Sequence, residues 1–526
     1  MERRKLIERS SIVARWAVTG LLVSVSTALA QRADSATRID VVYEATIPRL
    51  QSELAAGRLT SVQLVDAYLA RIAAYDHQGP SLNAMITINP AARREAAARD
   101  RERRERHLRG PLHGIPILIK DNYGTTDMPT TAGSIALSGF VPSREAFQVT
   151  KLRDAGAIIL GKTNLHELAS GITTVGSLIG QTCNPYDPTR IPGGSSGGTA
   201  AGIAASFAAI GWGSDTCGSI RIPAASNNLF GLRPTKGLTS VDGIIPLSHS
   251  QDVAGPIART VMDLAIGLDA TISIDLADTA TRILVGKPLP KFVASLDPGS
   301  LRGARLGALT AFFGNQAEDQ EAAVVVRAAL DQMRANGAEV VDVEIPRLDT
   351  LIQQAGVIDF EFKPDFRDYM ARMPNAPVAS LDDIIDRGLY HRAIEVSLKR
   401  RNASGTRDSD AYRMALARRD SARDLVVAFL DSHHLDAIVY PTLRRKPTVI
   451  GQPPPASNCQ LSAVTGLPAL SLPAGFTPDS LPIGVELLGR QLSDVRLVSL
   501  AYAYEQAVHP RRPPRTTPAL ANPPRR

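Results

Sequence analysis

The sequence predicts an α/β fold with a largely buried sheet, and three observations carry that prediction. Short apolar runs alternate with amphipathic stretches from Pro111 to the last long helix at residues 492–505. The runs span only a handful of residues, the length of buried strands and less than buried helices need. Apolar residues make up 44% and charged residues 21% of the 526, the balance of a globular chain with a large core.

The elements follow in order. Thr60-Ser61 caps a helix whose apolar positions Val62, Val65, Leu69 and Ile72 recur at helical spacing. Residues 91–109 interleave Arg and Glu at three- and four-residue offsets, which describes a solvated helix face of paired charges. Ile115–Ile119 and Ala157–Leu160 are buried strands, and Thr199–Ala209 is a helix of small residues. A helix stopped by Gly337 leads into a strand at Glu339–Ile345. Ala437–Tyr440, Pro468–Leu472 and Ile483–Leu488 are further strands. Residues 290–430 are mainly helical, and the Pro- and Arg-rich residues 511–526 are expected to be a disordered tail.

The formal charge of +7 is not spread over the body. Residues 1–30 carry five basic and two acidic side chains, and residues 511–526 carry five arginines and no acid. The remainder is close to neutral, which gives a nucleic-acid face no support. Arg3, Arg4, Lys5, Arg9 and Arg15 precede an apolar run from Trp16 to Ala30 that ends Ala28-Leu29-Ala30. That order reads as a secretory signal peptide, residues 1–30, cleaved between Ala30 and Gln31. It is too short for a spanning helix, which needs about 20 apolar residues. A periplasmic or secreted protein with no stable membrane association after cleavage is the expectation. Cys183, Cys217 and Cys459 have no metal spacing, and no metal site is expected. An oxidising compartment would permit one bridge, and the sequence does not choose the pair.

Three motifs compete for the chemistry. Gly156 to Thr163 fits the phosphate-loop expression GxxxxGK[ST], but its interior, Ala157-Ile158-Ile159-Leu160, is a buried strand and cannot wrap a phosphate. Gly193-Gly194-Ser195-Ser196-Gly197 fits the GxSxG elbow of α/β-hydrolase esterases. That elbow needs a strand before it and a histidine base, whereas residues 184–192 form a Pro-containing loop and His433 and His434 have no distinctive context. The third is longer. A strand runs into Lys120-Asp121-Asn122; Pro192 to Ala201 carries Ser195; Gly211 to Ala224 carries Ser214, Asp215, Ser219 and Arg221.

With these residues the chain resembles the amidase signature family, from about residue 42 to 507, and it is most similar to the peptide amidase branch in residues 43–86 and 242–252. The resemblance implies an amidase-signature fold, a large mixed twisted β-sheet covered by helices on both faces. It implies an amidase acting on linear carbon–nitrogen bonds of a small-molecule or short-peptide amide, without cofactor. Ser219 is then the nucleophile and Ser195, on a cis peptide bond in the family, relays its proton to Lys120. The backbone N–H groups of Thr216, Cys217, Gly218 and Ser219 would form the oxyanion hole, with Asp215 and Arg221 supporting the loop.

The residue types suit that chemistry. A serine hydroxyl needs a base within hydrogen-bond reach. Lysine serves only if desolvation strips its proton near neutral pH, and Lys120 follows five apolar residues. Cys217 stands where the family commonly has a glycine. It is expected to be a small buried loop residue rather than a reactive thiol, and positive φ there is doubtful. A non-catalytic periplasmic amide-binding protein is the alternative from another class, and it would have no use for Lys120, Ser195 and Ser219 together.

Overall fold

The computed structural model describes residues 39–521. Residues 1–38, with the expected signal peptide and its cleavage site, lie outside the described residues. Eleven strands form one sheet: β1 (Met85–Ile88), β2 (Pro116–Lys120), β3 (Ile158–Thr163), β4 (Ile210–Asp215), β5 (Phe230–Arg233), β6 (Val253–Ala258), β7 (Arg305–Leu309), β8 (Glu339–Val343), β9 (Ala437–Pro441), β10 (Ala469–Phe476) and β11 (Pro482–Leu488). Their spatial order is β1-β3-β2-β4-β6-β5-β10-β11-β9-β7-β8. β3, β2 and β4 run parallel, as do β9, β7 and β8, and the other pairings are antiparallel, so the sheet is mixed.

Alternation along the strands shows why both faces need helices. Ala437 and Val439 of β9 join a core shared with helices Gln320–Ala335 and Asp494–Val508. Ile438 and Tyr440, one residue out of phase, join a second core with helices Leu348–Gln353 and Asp410–Ser432. Helix Ser61–Tyr75 starts in a capping box: the Thr60 hydroxyl accepts from the Gln63 N–H at 3.1 Å, and the Gln63 side chain accepts from the Thr60 N–H at 3.0 Å. Helix Ala92–Arg104 carries the expected paired charges, with Glu102 bound by both Arg99 and Arg109.

Five strands go beyond the runs read from sequence, and two show why. β4 reads Ile-Gly-Trp-Gly-Ser-Asp, with glycines that argue against a strand. A Cβ at Gly213 would come within 2.7 Å of Ser196 Oγ, so the glycine lets the Ser195 loop lie directly on the strand. β6 contains Pro256 in the sheet interior; its ladder with β5 stops at Ile257, so the missing donor is not called upon. The stretch 290–430 also contains β7 and β8 at the sheet edge, and the helical insertion proper begins after β8. Its helices Ile358–Met370 and Glu395–Ala403 pack onto residues 132–140, 165–169 and 245–247.

The disordered tail expected at 511–526 is corrected as far as residue 521. The Arg511 guanidinium pairs with Glu44 at 2.7 Å and donates to the Asn228 carbonyl at 2.9 Å. The Arg71 guanidinium donates to the carbonyls of Thr517 and Pro518 at 2.9 and 3.0 Å. A buried arginine, Arg71, thus takes backbone carbonyls of the tail as its acceptors.

Candidate active site

Lys120 ends β2, a strand buried at every residue. Its Nζ lies 2.7 Å from Ser195 Oγ, 2.8 Å from Ser214 Oγ and 3.1 Å from the Ser214 carbonyl. Asn122 also donates to Ser214 Oγ, at 2.9 Å. Burial disfavours the ammonium and brings the lysine down to about 7, against the opposing attraction of Asp252 and Asp215. A neutral amine has two N–H groups and one lone pair. Ser214 offers the acceptors, and the Ser195 O–H can donate to the lone pair.

Ser195 sits in a loop of glycines that is wholly buried from 193 to 198, so the loop is not a flexible surface segment. The Gly194–Ser195 peptide is cis. A Cβ at Gly198 would meet the Ala84 carbonyl and the Asn164 N at 2.7 Å each, which explains the glycine by close approach of other chain. What precedes Ser195 is a loop and not a strand, and His433 stacks on Phe429 at an exposed helix end, so the elbow geometry of the esterase reading is not met.

The nucleophile candidate Ser219 lies between β4 and the short helix Arg221–Ser226, and its carbonyl accepts from the Ser196 N–H at 3.1 Å. Asp215 anchors this turn. Its carboxylate accepts from the N–H groups of Gly218 at 2.7 Å and Ile220 at 3.1 Å, and pairs with Arg221 and Arg233 at 3.1 and 3.0 Å. Those cations hold Asp215 well below the usual carboxylate range despite its burial. One expected oxyanion donor is thereby corrected: the Gly218 N–H is bound to Asp215, which leaves Thr216, Cys217 and Ser219.

Cys217 is neither a free thiol nor a plain buried filler. It is disulfide-bonded to Cys459, while Cys183 is free and partly buried. Positive φ falls on Gly218, at +91°, and not on Cys217.

Sequence reasoning passed over several residues of this site. Arg233 and Glu486 complete the Asp215 network, Glu486 pairing with Arg221 at 2.5 Å. Asp252 accepts from the Thr216 hydroxyl at 2.5 Å, and Gln251 donates to the Thr216 carbonyl at 3.0 Å, so the loop 242–252 buttresses Thr216. That loop lines a cavity of about 440 Å³ with Lys236, His249, Asp365 and Arg407. His249, Glu361 and Asp365 come within 4.8 Å of one another there. Their oxygens are already bonded to Ser248, Ser250, Tyr412 and Arg407, so the cluster is a hydrogen-bonded joint rather than a metal cradle. His166, whose backbone N–H donates to the Ser195 carbonyl at 3.0 Å, is pushed down to about 3 by burial, then by Arg401, and its ring is neutral at physiological pH.

The Amidase family pattern matches residues 63–498. The peptide amidase of Stenotrophomonas maltophilia superimposes with a TM-score of 0.82 at 40% identity, covering 90% of this chain and 99% of that one. An amidase family protein of Bacillus anthracis superimposes at 0.81 with 31% identity, covering 92% and 94%. A glutamyl-tRNA(Gln) amidotransferase subunit from Microcystis aeruginosa is 35% identical over 502 residues, 89% of this chain and 99% of its own. The chain belongs to the amidase family and is an enzyme that hydrolyses carbon–nitrogen bonds.

Burial of the lysine costs stability at neutral pH and makes stability depend on pH. Its folded value is lowered from 10.5 to about 7, so between those pH values the unfolded chain holds a proton that the folded chain lacks. Stability therefore rises with pH across that window, by on the order of 4 kcal/mol from this group. Urea unfolding from pH 7 to 10 should show a steeper rise for the wild type than for Lys120→Met. Parallel profiles would mean that Lys120 stays charged in the fold.

Proposed function

We propose that this chain is an exported serine amidase in which Ser219 is the nucleophile, Ser195 the proton relay and Lys120 the base, and that it releases ammonia from C-terminal amides of short peptides. The observation that carries the mechanism is the 2.7 Å contact of the Lys120 amine with the Ser195 hydroxyl, on a lysine that burial brings to about 7. A base with that value is half neutral at pH 7, where a solvated lysine is almost wholly charged.

Ser219 Oγ attacks the amide carbonyl carbon, and its proton passes to Ser195 as the Ser195 proton moves to the Lys120 lone pair. Negative charge develops on the carbonyl oxygen, against the N–H groups of Thr216, Cys217 and Ser219. One such donor is worth about 3–4 kcal/mol in serine hydrolases, so a fixed loop is a major catalytic contribution. The proton returns through Ser195 to the leaving nitrogen, ammonia departs, and water cleaves the acyl-enzyme by the same relay. No step calls for a metal or organic cofactor.

Similarity to the Stenotrophomonas enzyme supports the peptide-amide substrate. So does the chemistry of a primary amide, whose leaving group is only ammonia. A site closed beyond the scissile nitrogen rejects longer chains by clash, which discriminates more sharply than apolar size selection. The small-molecule or peptide partner is in keeping with a nearly neutral body, and nothing in the sequence favours nucleic acid. Export rests on the pattern of residues 1–30 and gains support from the disulfide, since such bonds persist in oxidising compartments. No helix among the described residues is long and apolar enough to cross a membrane.

Ser219→Ala should abolish both turnover and covalent labelling by a fluorophosphonate. A label that persists and maps to Ser195 would transfer the nucleophile's role there. In a panel of a peptide amide, a simple aliphatic amide and an anilide, kcat/KM should be highest for the peptide amide; preference for the anilide would remove the substrate assignment and spare the mechanism. Intact-mass analysis of exported protein should find Gln31 at the N-terminus, and retention of residues 1–30 in a membrane fraction would replace export by anchoring.

A further inference from the structure

Cys217 lies two residues before Ser219, in the turn between β4 and helix Arg221–Ser226. Its disulfide partner Cys459 is 242 residues further along the chain, with the two Cα atoms 5.2 Å apart. Cys459 opens helix Gln460–Thr465, and its surroundings fix it to the far half of the sheet. The Asn458 side chain donates to the carbonyls of Phe312 and Pro441, at 2.8 and 2.7 Å. The Cys459 carbonyl accepts from Arg221 at 3.2 Å. A Cβ at Gly218 would stand 2.7 Å from Cys459 Cβ, so the turn lies flat against this residue.

The turn is held at three places. At its start, Thr216 is bound by Asp252 and Gln251. At its end, the N–H groups of Gly218 and Ile220 are bound by Asp215. Between them the disulfide holds Cys217. The sulfurs sit in an apolar cluster with Ile172, Ile222 and Leu443. The Ile172 backbone also lies close to Gly194, beside Ser195: a Cβ at Gly194 would stand 2.9 Å from the Ile172 carbonyl carbon.

We propose that the Cys217–Cys459 disulfide is a positioning element of the oxyanion loop, and that thiol exchange at it switches turnover. The proposal rests on the oxyanion role given above to Thr216, Cys217 and Ser219. With the bond closed, the Cys217 and Ser219 N–H groups keep a fixed aim at the developing oxyanion. Opened, the middle of the turn is tied only through its neighbours, and the donors lose that aim while the triad side chains keep their own contacts.

The exchange balances with an external dithiol as reductant. Its thiolate attacks Cys217 Sγ, because Cys217 is part-exposed and Cys459 is only 7% exposed. The S–S bond breaks with its electron pair on Cys459 Sγ, and a mixed disulfide forms at Cys217. The second thiol of the reductant attacks its own sulfur in that mixed disulfide, releasing Cys217 as thiolate. The reductant leaves as a cyclic disulfide, two electrons have reached the protein, and the two cysteines end as thiols. An oxidant of the disulfide class reverses the sequence.

The test uses the intact enzyme under native conditions. It is treated with dithiothreitol, alkylated in a sample to count thiols by mass, and assayed for ammonia release from a peptide amide. Reduction should raise the alkylated thiols from one to three and lower kcat about tenfold or more with KM changed less than twofold, since oxyanion donors act mainly in the transition state. Reoxidation with oxidised dithiothreitol should restore kcat. Cys183→Ala should respond as the wild type does, and Cys459→Ala should have the low kcat already and ignore the reagent. Full kcat with three alkylated thiols would overturn the proposal. So would a loss of kcat that comes with loss of the near-UV dichroism of the fold, because the bond would then be a general staple. Turnover by oxidised Ser219→Ala would instead overturn the role of the loop itself, which separates the two failures.

Discussion

Exclusion of water from the end of β2 is the condition on which the proposed mechanism depends. Lys120 is enclosed by layers: β3 and β4 flank its strand, and helix Gly197–Ala204 lies over the pair. An ammonium in that place loses its hydration, and Ser195 and Ser214 offer only neutral oxygens in return. Two carboxylates nearby, Asp252 and Asp215, pull the other way, and burial still wins. Part of the reason is that Asp215 already has two cations of its own, Arg221 and Arg233, which cancel much of its field. A lysine facing an uncompensated aspartate would hold its proton and be useless as a base.

The same network explains how a turn with little regular structure is kept rigid. Arg221 opens the helix after Ser219, Arg233 ends β5, and Glu486 lies on β11 in the distant half of the sheet. With Asp215 they form two anions and two cations, all fully buried. Buried ion pairs of this kind contribute little net stability, because desolvation offsets the attraction, but removing one member leaves a bare charge at a cost of about 3–5 kcal/mol. The gain is geometric: a carboxylate that also binds the Gly218 and Ile220 amides fixes the turn relative to both strands.

The serine and lysine positions were legible through the resemblance to the amidase signature family, whose spacing Lys120, Ser195 and Ser219 keep; the glycines around Ser195 and the apolar run before Lys120 suit that chemistry without singling it out. The strands at 116–120, 158–163 and 437–441 were legible as apolar runs between turn signals. β4 and β6 were not, since Gly211, Gly213, Gly255 and Pro256 answer to what packs upon the strand and not to strand propensity. Arg233 and Glu486 were hidden for another reason. Each lies in a separate segment, and only the fold brings a charge at residue 486 to one at 221. The tail at 511–521 misled through composition: its prolines and arginines read as solvated, whereas the part-buried Glu44 and the buried Asn228 and Arg71 supply partners.

The turn before Ser219 also separates two uses of glycine that a motif merges. Where the family commonly has two glycines before the nucleophile, this chain has Cys217 and Gly218. Gly218 takes φ of +91°, and a side chain there would meet both Cys459 and Ile222 at 2.7 Å, so that glycine answers to backbone and space together. Residue 217 carries no positive φ and points to Cys459 across the sheet. A side chain at 217 therefore costs the turn no left-handed conformation, and a covalent tie can be added where a motif would suggest that only glycine fits. Replacing glycine by cysteine keeps the amide of residue 217, since every residue but proline supplies the same N–H.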